Sequence, residues 1–278
     1  MEDISIIIPV RSDHLLPQAI ASVPADVELI IALTSPLQEY VESVRELTSN
    51  RNVRLEITKK IGMPAGVNLG ASVAKHEKIV ILDSDCRLQP NALDSYSKAL
   101  EHCAFVRGVT LVERDDYWSK IAALGTERLN RVFELTPRFF GPSIAFRKTE
   151  FFRYEGYDEQ MIYGSCDHEF SLRLEKHHEP VCFEPAAVVI HQPLSFKIDT
   201  RSHIGYGRGM CYIDWKHGGR YGLSVCTKRL SLKELYTRAR ERGGMSVVRS
   251  ILLGNLMLLG YLKEGRNLPN KLNNPNKP

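Results

Sequence analysis

The stretch "KIVILDSDCRL", residues 78–88, decides the fold. Ile79, Val80, Ile81 and Leu82 form an unbroken apolar run, the pattern of a strand buried on both faces. The run leads directly into Asp83-Ser84-Asp85. Similar runs recur upstream at "ISIIIPV" (4–10), "VELIIAL" (27–33) and "VRLEIT" (53–58). Helical patterns fill the gaps over 13–23, 36–49 and 63–74, and another follows over 91–102. Asp13 stands where it could cap the first of these, and Pro36 lies in the first turn of the second. Strands that alternate with helices build βαβ units. The expected architecture is therefore α/β, with a mostly parallel central sheet flanked by helices. Ligands of such sheets sit beyond the carboxyl ends of the strands, which is where Asp83 and Asp85 are placed.

The second half changes character. A strand or strand pair is expected over 104–114, a helix over 117–135, a turn and strand over 139–151, a helix over 165–178, and a second strand pair over 180–193 ending near His191. "RSHIGYGRGMCY" (201–212) reads as a glycine-rich basic loop or the start of a helix. The tail "RNLPNKLNNPNKP" (266–278) is polar and rich in Pro and Asn, the composition of a disordered segment.

Composition narrows the function. With 278 residues, 43% of them hydrophobic, the chain can bury one large core or two small ones. A net charge of +4 is too small for a nucleic-acid binder. No signal peptide is read at "MEDISIIIPV", and the six cysteines form no CxxC pair. Free thiols in a cytoplasmic protein are the expectation. The longest apolar segment, 246–262, is interrupted by Arg249, Ser250 and Asn255 and falls short of the roughly 20 residues a membrane span needs. It reads either as a docking helix or as a helix in a membrane interface, helped by the bases that precede it.

Several residues carry candidate chemistry. Two carboxylates at the spacing of Asp83 and Asp85 can hold a hard divalent cation, Mn2+ or Mg2+; they also suit a solvated turn that caps the next helix. His191, also at a strand end, can complete a metal site or simply serve as a hydrogen-bonding residue. Asp167 near a helix start could be a general base, or only an acid favoured by the helix dipole, with Glu169 the competing carboxylate and Arg173 an ion-pairing residue. Gly141 and Pro142 carry turn chemistry. Arg201, His203 and Arg208 could close over phosphates or belong to a linker.

Taken in order, six segments resemble family 2 of the nucleotide-sugar glycosyltransferases, which have the GT-A fold, over roughly residues 4–215. They are "ISIIIPV", "GMPAGVNLGASVAKHEKIVILDSD", "FFGPSIAFRK", "CDHEFSLRL", "PAAVVIHQP" and "RSHIGYGRG". The resemblance implies a metal-dependent inverting transferase that moves a sugar from a nucleotide-diphosphate sugar, a UDP-sugar first, to an acceptor hydroxyl. Pro9, Val10, Arg11, Thr34, Asn68, Asp83, Ser84 and Arg208 would bind the donor. Asp85 and His191 would bind the metal, and Asp167 would be the base. Gly141, Pro142 and Cys166 would lie on the acceptor side. The implied organisation is a GT-A domain over 1–215, divided into a donor half (1–102) and an acceptor half (103–215). A helical extension over 216–265 could touch the membrane peripherally at its cytoplasmic face, and the tail follows. The acceptor could be a surface polysaccharide, a lipid-linked intermediate or a small glycoside.

Three departures stand out. The second strand ends in Thr34 and Ser35 where the family has aspartate; Arg11 and Ser12 replace an aromatic and an Asn; and Cys166 replaces a Glu. They motivate the alternative of a non-catalytic nucleotide- or sugar-binding protein on the same fold. A phosphatase that uses DxD would carry the pair on its first strand, and a sugar-nucleotide pyrophosphorylase would carry a Gly-rich basic signature near its N-terminus.

Overall fold

The computed structural model describes residues 3–272, with side chains through Leu268. Its contacts divide into two compact units. The first comprises 1–113, 125–162 and 166–193, and the second 114–124, 163–165 and 194–278.

The first unit is built on one eight-stranded sheet. Its strands are β1 (Ile4–Val10), β2 (Glu28–Thr34), β3 (Val53–Thr58), β4 (Lys78–Ile81), β5 (Cys86–Leu88), β6 (Phe105–Val112), β7 (Ile144–Arg147) and β8 (Val181–His191). Their order is β3-β2-β1-β4-β7-β6-β8-β5. The four strands from β3 to β4 are parallel, because α1 (Leu16–Ala21), α2 (Gln38–Leu47) and α3 (Met63–Val73) supply the crossovers. The β4–β7, β7–β6 and β8–β5 pairs are antiparallel, while β6 and β8 run parallel. The sheet is thus mixed, with its parallel half toward the N-terminus.

β1 is buried at all seven positions, as a strand covered on both faces must be. α3 lies tight on the sheet because a Cβ at Gly66 would stand 2.9 Å from Pro9 Cβ and 3.0 Å from Thr34 Cγ2. The remaining helices of this unit are α4 (Ala92–Ala99), most of α5 (Tyr117–Leu135), α6 (Lys148–Arg153) and α7 (Cys166–Lys176). Between β7, α6 and α7, the rings of Phe105, Phe139, Phe146, Phe151, Tyr157 and Phe170 form an aromatic cluster with centroids 4.2–6.5 Å apart.

The second unit is helical, with α8 (Phe196–His217), α9 (Tyr221–Lys228), α10 (Leu232–Arg242) and α11 (Gly244–Leu272). Residues 201–212, expected as a loop or helix start, lie inside α8. The glycines there serve packing: a Cβ at Gly207 would sit 1.9 Å from the Met257 carbonyl oxygen of α11. α11 continues to Leu272, so the first half of the tail expected to be disordered is helical; 273–278 lie outside the described residues. By length and composition alone, Gly244–Leu268 is apolar enough to cross a membrane, where the sequence reading fell short. Of its most apolar window, 39% is buried within the protein.

Three other expectations change. Asp13 does not cap α1, whose N-cap is Leu15; its Oδ1 instead accepts the Leu15 N–H at 2.9 Å. Residues 104–114 hold one strand, one of the two expectations there, and 180–193 hold one strand where a pair was expected, with the irregularity absorbed by a register shift between Arg107 and Val109. Cys103 and Cys182 are joined in a disulfide, with Cα atoms 6.3 Å apart, which removes the free-thiol argument for a reducing compartment; Cys86, Cys166, Cys211 and Cys226 are free and buried. The bridge closes a span of 79 residues between the entry to β6 and the start of β8. On the chain-entropy estimate it contributes about 4 kcal/mol. Reduction, or the Cys103→Ser/Cys182→Ser double variant, should lower Tm by on the order of 10 °C in thermal denaturation, at about 2–4 °C per kcal/mol.

Candidate active site

The Asp83-Ser84-Asp85 turn sits between β4 and β5, and local hydrogen bonds fix its shape. The Cys86 N–H donates to the Asp83 carbonyl at 3.0 Å. Ser84 Oγ donates to Asp13 Oδ2 at 2.6 Å. The backbone of Asp13 is held in turn by Tyr40, whose hydroxyl accepts the Asp13 N–H and donates to its carbonyl, both at 3.0 Å. Asp13 therefore positions the acidic turn, a role that its reading as a helix cap missed.

β5 then pairs antiparallel with β8, bringing Cys86 opposite His191. Asp85 Oδ2 and His191 Nε2 end 3.4 Å apart. Gln192 secures the junction, donating its N–H to the Asp85 carbonyl at 3.1 Å and Nε2 to Asp85 Oδ2 at 3.3 Å. The His191 Nδ1 lies 2.8 Å from the Gln192 carbonyl, which orients the ring so that Nε2 faces Asp85. Ligand atoms of Asp85, Cys86 and His191 all lie within 4.8 Å of one another. Burial, with Asp83 and Asp85 adding to it, pushes the Cys86 thiol well above its usual range, and a soft sulfur ligand suits a hard cation poorly. One carboxylate oxygen and one imidazole nitrogen remain. That set fits a divalent cation such as Mn2+ or Mg2+, with other oxygen ligands to complete the shell.

Desolvation, then Asp85, raises the Asp83 carboxyl to about 7, with His191 opposing the rise and Asp167 adding to it. Asp83 and Asp167 thus share one electrostatic neighbourhood. Asp167 stands in the first turn of α7, and its two oxygens accept backbone N–H groups: Oδ2 from Gly141 and Oδ1 from His168, each at 2.9 Å. The two carboxylates of this turn differ in surroundings. Glu169 is fully buried and bound to Arg173, whose Nη2 lies 2.7 Å from Oε2. Arg173 also reaches the Tyr154 carbonyl and, at 2.6 Å, that of Gly156. Asp167 is the carboxylate left partly open to solvent.

The family model of glycosyl transferase family 2 matches residues 5–155, more than half of the sequence. The chain belongs to glycosyl transferase family 2. It is a glycosyltransferase, with the GT-A fold. Among solved structures, the mannosyltransferase PcManGT from Pyrobaculum calidifontis, in complex with GDP-Man and Mn2+, is similar with a TM-score of 0.67 at 14% identity, over 95% of this chain and 87% of that one. S. aureus TarS 1-349 is similar with a TM-score of 0.53 at 11% identity, over 99% and 92%. No curated protein matches the chain in sequence. The family match covers Asp83 and Asp85 but ends before Asp167 and His191, so their assignment to this glycosyltransferase's site rests on geometry.

The other expected residues divide. Pro9, Val10 and Thr34 end β1 and β2 on the sheet edge that carries Asp83, with Arg11 exposed just beyond. Thr34 is 2% exposed, so the position where the family has an acid is closed over here. Gly141 (φ +84°) and Pro142 precede β7, and Cys166 is buried with Sγ 3.6 Å from Met63 Sδ. Asn68 has another task. Its Oδ1 accepts the Tyr157 N–H at 2.9 Å and its Nδ2 donates to the Tyr157 carbonyl at 2.8 Å, so it clamps a turn. Arg208 belongs to the helical unit, where it donates to Glu264 at 2.7–2.8 Å and lies over the Tyr163 ring, so its charge is already engaged.

Arg107 was not anticipated. It is 2% exposed on β6, and its Nε and Nη1 have no hydrogen-bond partner. Its guanidinium lies 4.5 Å from the Phe133 ring centre, and a Cβ at Gly141 would stand 2.8 Å from Nη1. Burial lowers it to about 10, with Tyr96 and Asp167 pulling the other way. A buried cation with two unbonded nitrogens, offset by the Phe133 and Phe140 rings, costs the fold stability. Arg107→Met should raise Tm by about 2–4 °C per kcal/mol recovered while slowing transfer. A lower Tm would show that the charge is compensated.

Asp83 yields a pH test. Its folded value, about 7, exceeds the value of about 4 for an unfolded aspartate. The metal-free protein should therefore lose stability as pH rises from 4 through 7. In thermal melts with chelator, Asp83→Asn should match wild type near pH 4 and exceed it at pH 8. Added Mn2+ should close the gap from the wild-type side.

Proposed function

We propose that this glycosyltransferase is inverting and metal-dependent, and that it moves a sugar from a nucleotide-diphosphate sugar to an acceptor hydroxyl. The observation that carries the reading is the convergence of Asp85 with His191, beside Asp83 and Asp167 in one field. Asp85 and His191 would hold Mn2+ or Mg2+, which supplies charge neutralisation to the departing diphosphate. Pro9, Val10, Arg11 and Thr34, at the carboxyl ends of β1 and β2, would receive the nucleotide. Asp83 and Ser84 would contact the ribose or sugar, with Asp83 near 7 able both to donate and to accept a hydrogen bond.

Asp167 would remove the proton from the attacking hydroxyl. The Gly141 and His168 N–H groups each occupy one oxygen of the carboxylate and fix its plane, leaving further lone pairs for that proton. A single displacement from the face opposite the leaving group inverts the anomeric centre. Gly141, Pro142 and the buried Cys166 frame the acceptor side. The expected donor is a UDP-sugar; the GDP-Man bound by PcManGT makes GDP the first competitor.

Thermal stabilisation by UDP, GDP, dTDP, CDP and CMP, with and without Mn2+, tests donor and metal together. One nucleotide should stabilise, with a metal dependence that Asp85→Ala abolishes. Asp167→Asn should keep that stabilisation and lose on the order of 10²–10⁴-fold in transfer. Unchanged transfer in Asp167→Asn would remove the base assignment. Nucleotide binding without turnover in wild type would favour a non-catalytic binder, the reading that the buried Thr34 supports.

A further inference from the structure

The two ends of the chain carry opposite charge. Residues 1–193 hold 21 Lys and Arg against 28 Asp and Glu, a net of −7, whereas 194–278 hold 16 against 5, a net of +11. The modest overall +4 hides this asymmetry. Within the helical unit the charge is joined to exposed apolar surface. On α11, Met245, Val248, Ile251, Leu259 and Leu262 are exposed. At 3.6 residues per turn they fall within an arc of about 120° and run for roughly 25 Å along the helix. The opposite arc, with Arg249, Leu253, Met257 and Glu264, is buried. On α10, Leu232 and Tyr236, one turn apart, are 85% and 69% exposed. Lys228, Lys233, Arg240, Lys263 and Arg266 are exposed beside these residues in sequence, and among the described residues none has an ion-pair partner.

We infer that α10 and α11 form a docking surface for an anionic lipid bilayer, lying in the interface with the apolar arc of α11 toward the acyl chains. Exposed Leu, Ile, Val and Tyr flanked by Lys and Arg match the interfacial helix, whose basic stems can extend toward lipid phosphates. A second copy of the chain would present the same +11 region to itself and be repelled. A membrane-crossing α11 conflicts with its buried arc. Arg249 there is bonded to Asp199 through Nη2 at 2.6 Å and Nε at 2.9 Å, and Glu264 to Arg208. The backbone of Ile204 on α8 approaches Gly260 so closely that a Cβ there would meet its carbonyl oxygen at 2.1 Å. This inference does not depend on the transfer reaction or on the metal.

Flotation of the full chain with phosphatidylcholine vesicles, with and without phosphatidylglycerol, tests it. Binding should need the anionic lipid, weaken as salt rises, and be released by alkaline carbonate. Val248→Ser/Leu259→Ser and Lys233→Gln/Arg240→Gln should each weaken binding on the order of tenfold, with Tm and nucleotide response unchanged. Absence of binding to the anionic vesicles would overturn the inference, as would retention through carbonate, which marks a crossing helix. So would self-association that the apolar variant abolishes.

Discussion

Three residues of β5 hold the site together. Cys86, Arg87 and Leu88 turn back from the β4 end to pair with β8, and that pairing alone sets Asp85 against His191, 106 positions apart in sequence. The register leaves little freedom, because a one-residue slip would move every side chain to the opposite face. Gln192 closes the pairing through the backbone and the carboxylate of Asp85. The Asp13–Ser84 bond holds the other side of the turn against the loop that follows β1. The two strand ends are thus held in place by the protein's own hydrogen bonds.

The electrostatics of the first unit follow from the same compaction. Burial first, and then the neighbouring carboxylate of Asp85, raise Asp83 to about 7. Arg107, which interacts electrostatically with Asp167, is a cation with almost no water and no partner for two of its nitrogens. Charge is divided along the chain: residues 1–193 are net acidic, and 194–278 are net basic with exposed apolar side chains on α10 and α11.

Much of the parallel half was legible because Ile4–Val10, Glu28–Thr34 and Lys78–Ile81 are continuous apolar runs between helical patterns. The acidic turn and Asp167 were legible as residue types at strand and helix ends. β5 was not, because three residues carry no period. Residues 180–193 were expected as a strand pair, whereas one long strand runs there and pairs with β6 through the register shift beside Arg107. The glycines of α8 suggested a loop, yet they are the positions where Tyr163, Gly164 and Met257 approach the helix backbone. The Cys103–Cys182 bridge and the Arg208–Glu264 pair join residues 79 and 56 apart, and nothing local in the chain announces either partner.

The convergence of Asp85 and His191 on one cation is the claim on which the chemistry turns, and Mn2+ reads it directly. Pulsed paramagnetic resonance of the protein with Mn2+ and the stabilising nucleoside diphosphate should show imidazole nitrogen coupled to the metal together with phosphorus of the nucleotide. The nitrogen coupling should vanish in His191→Ala while the phosphorus coupling persists. Mn2+ bound with no nitrogen coupling in the wild-type protein, or a nitrogen coupling that survives His191→Ala, would contradict the site described here.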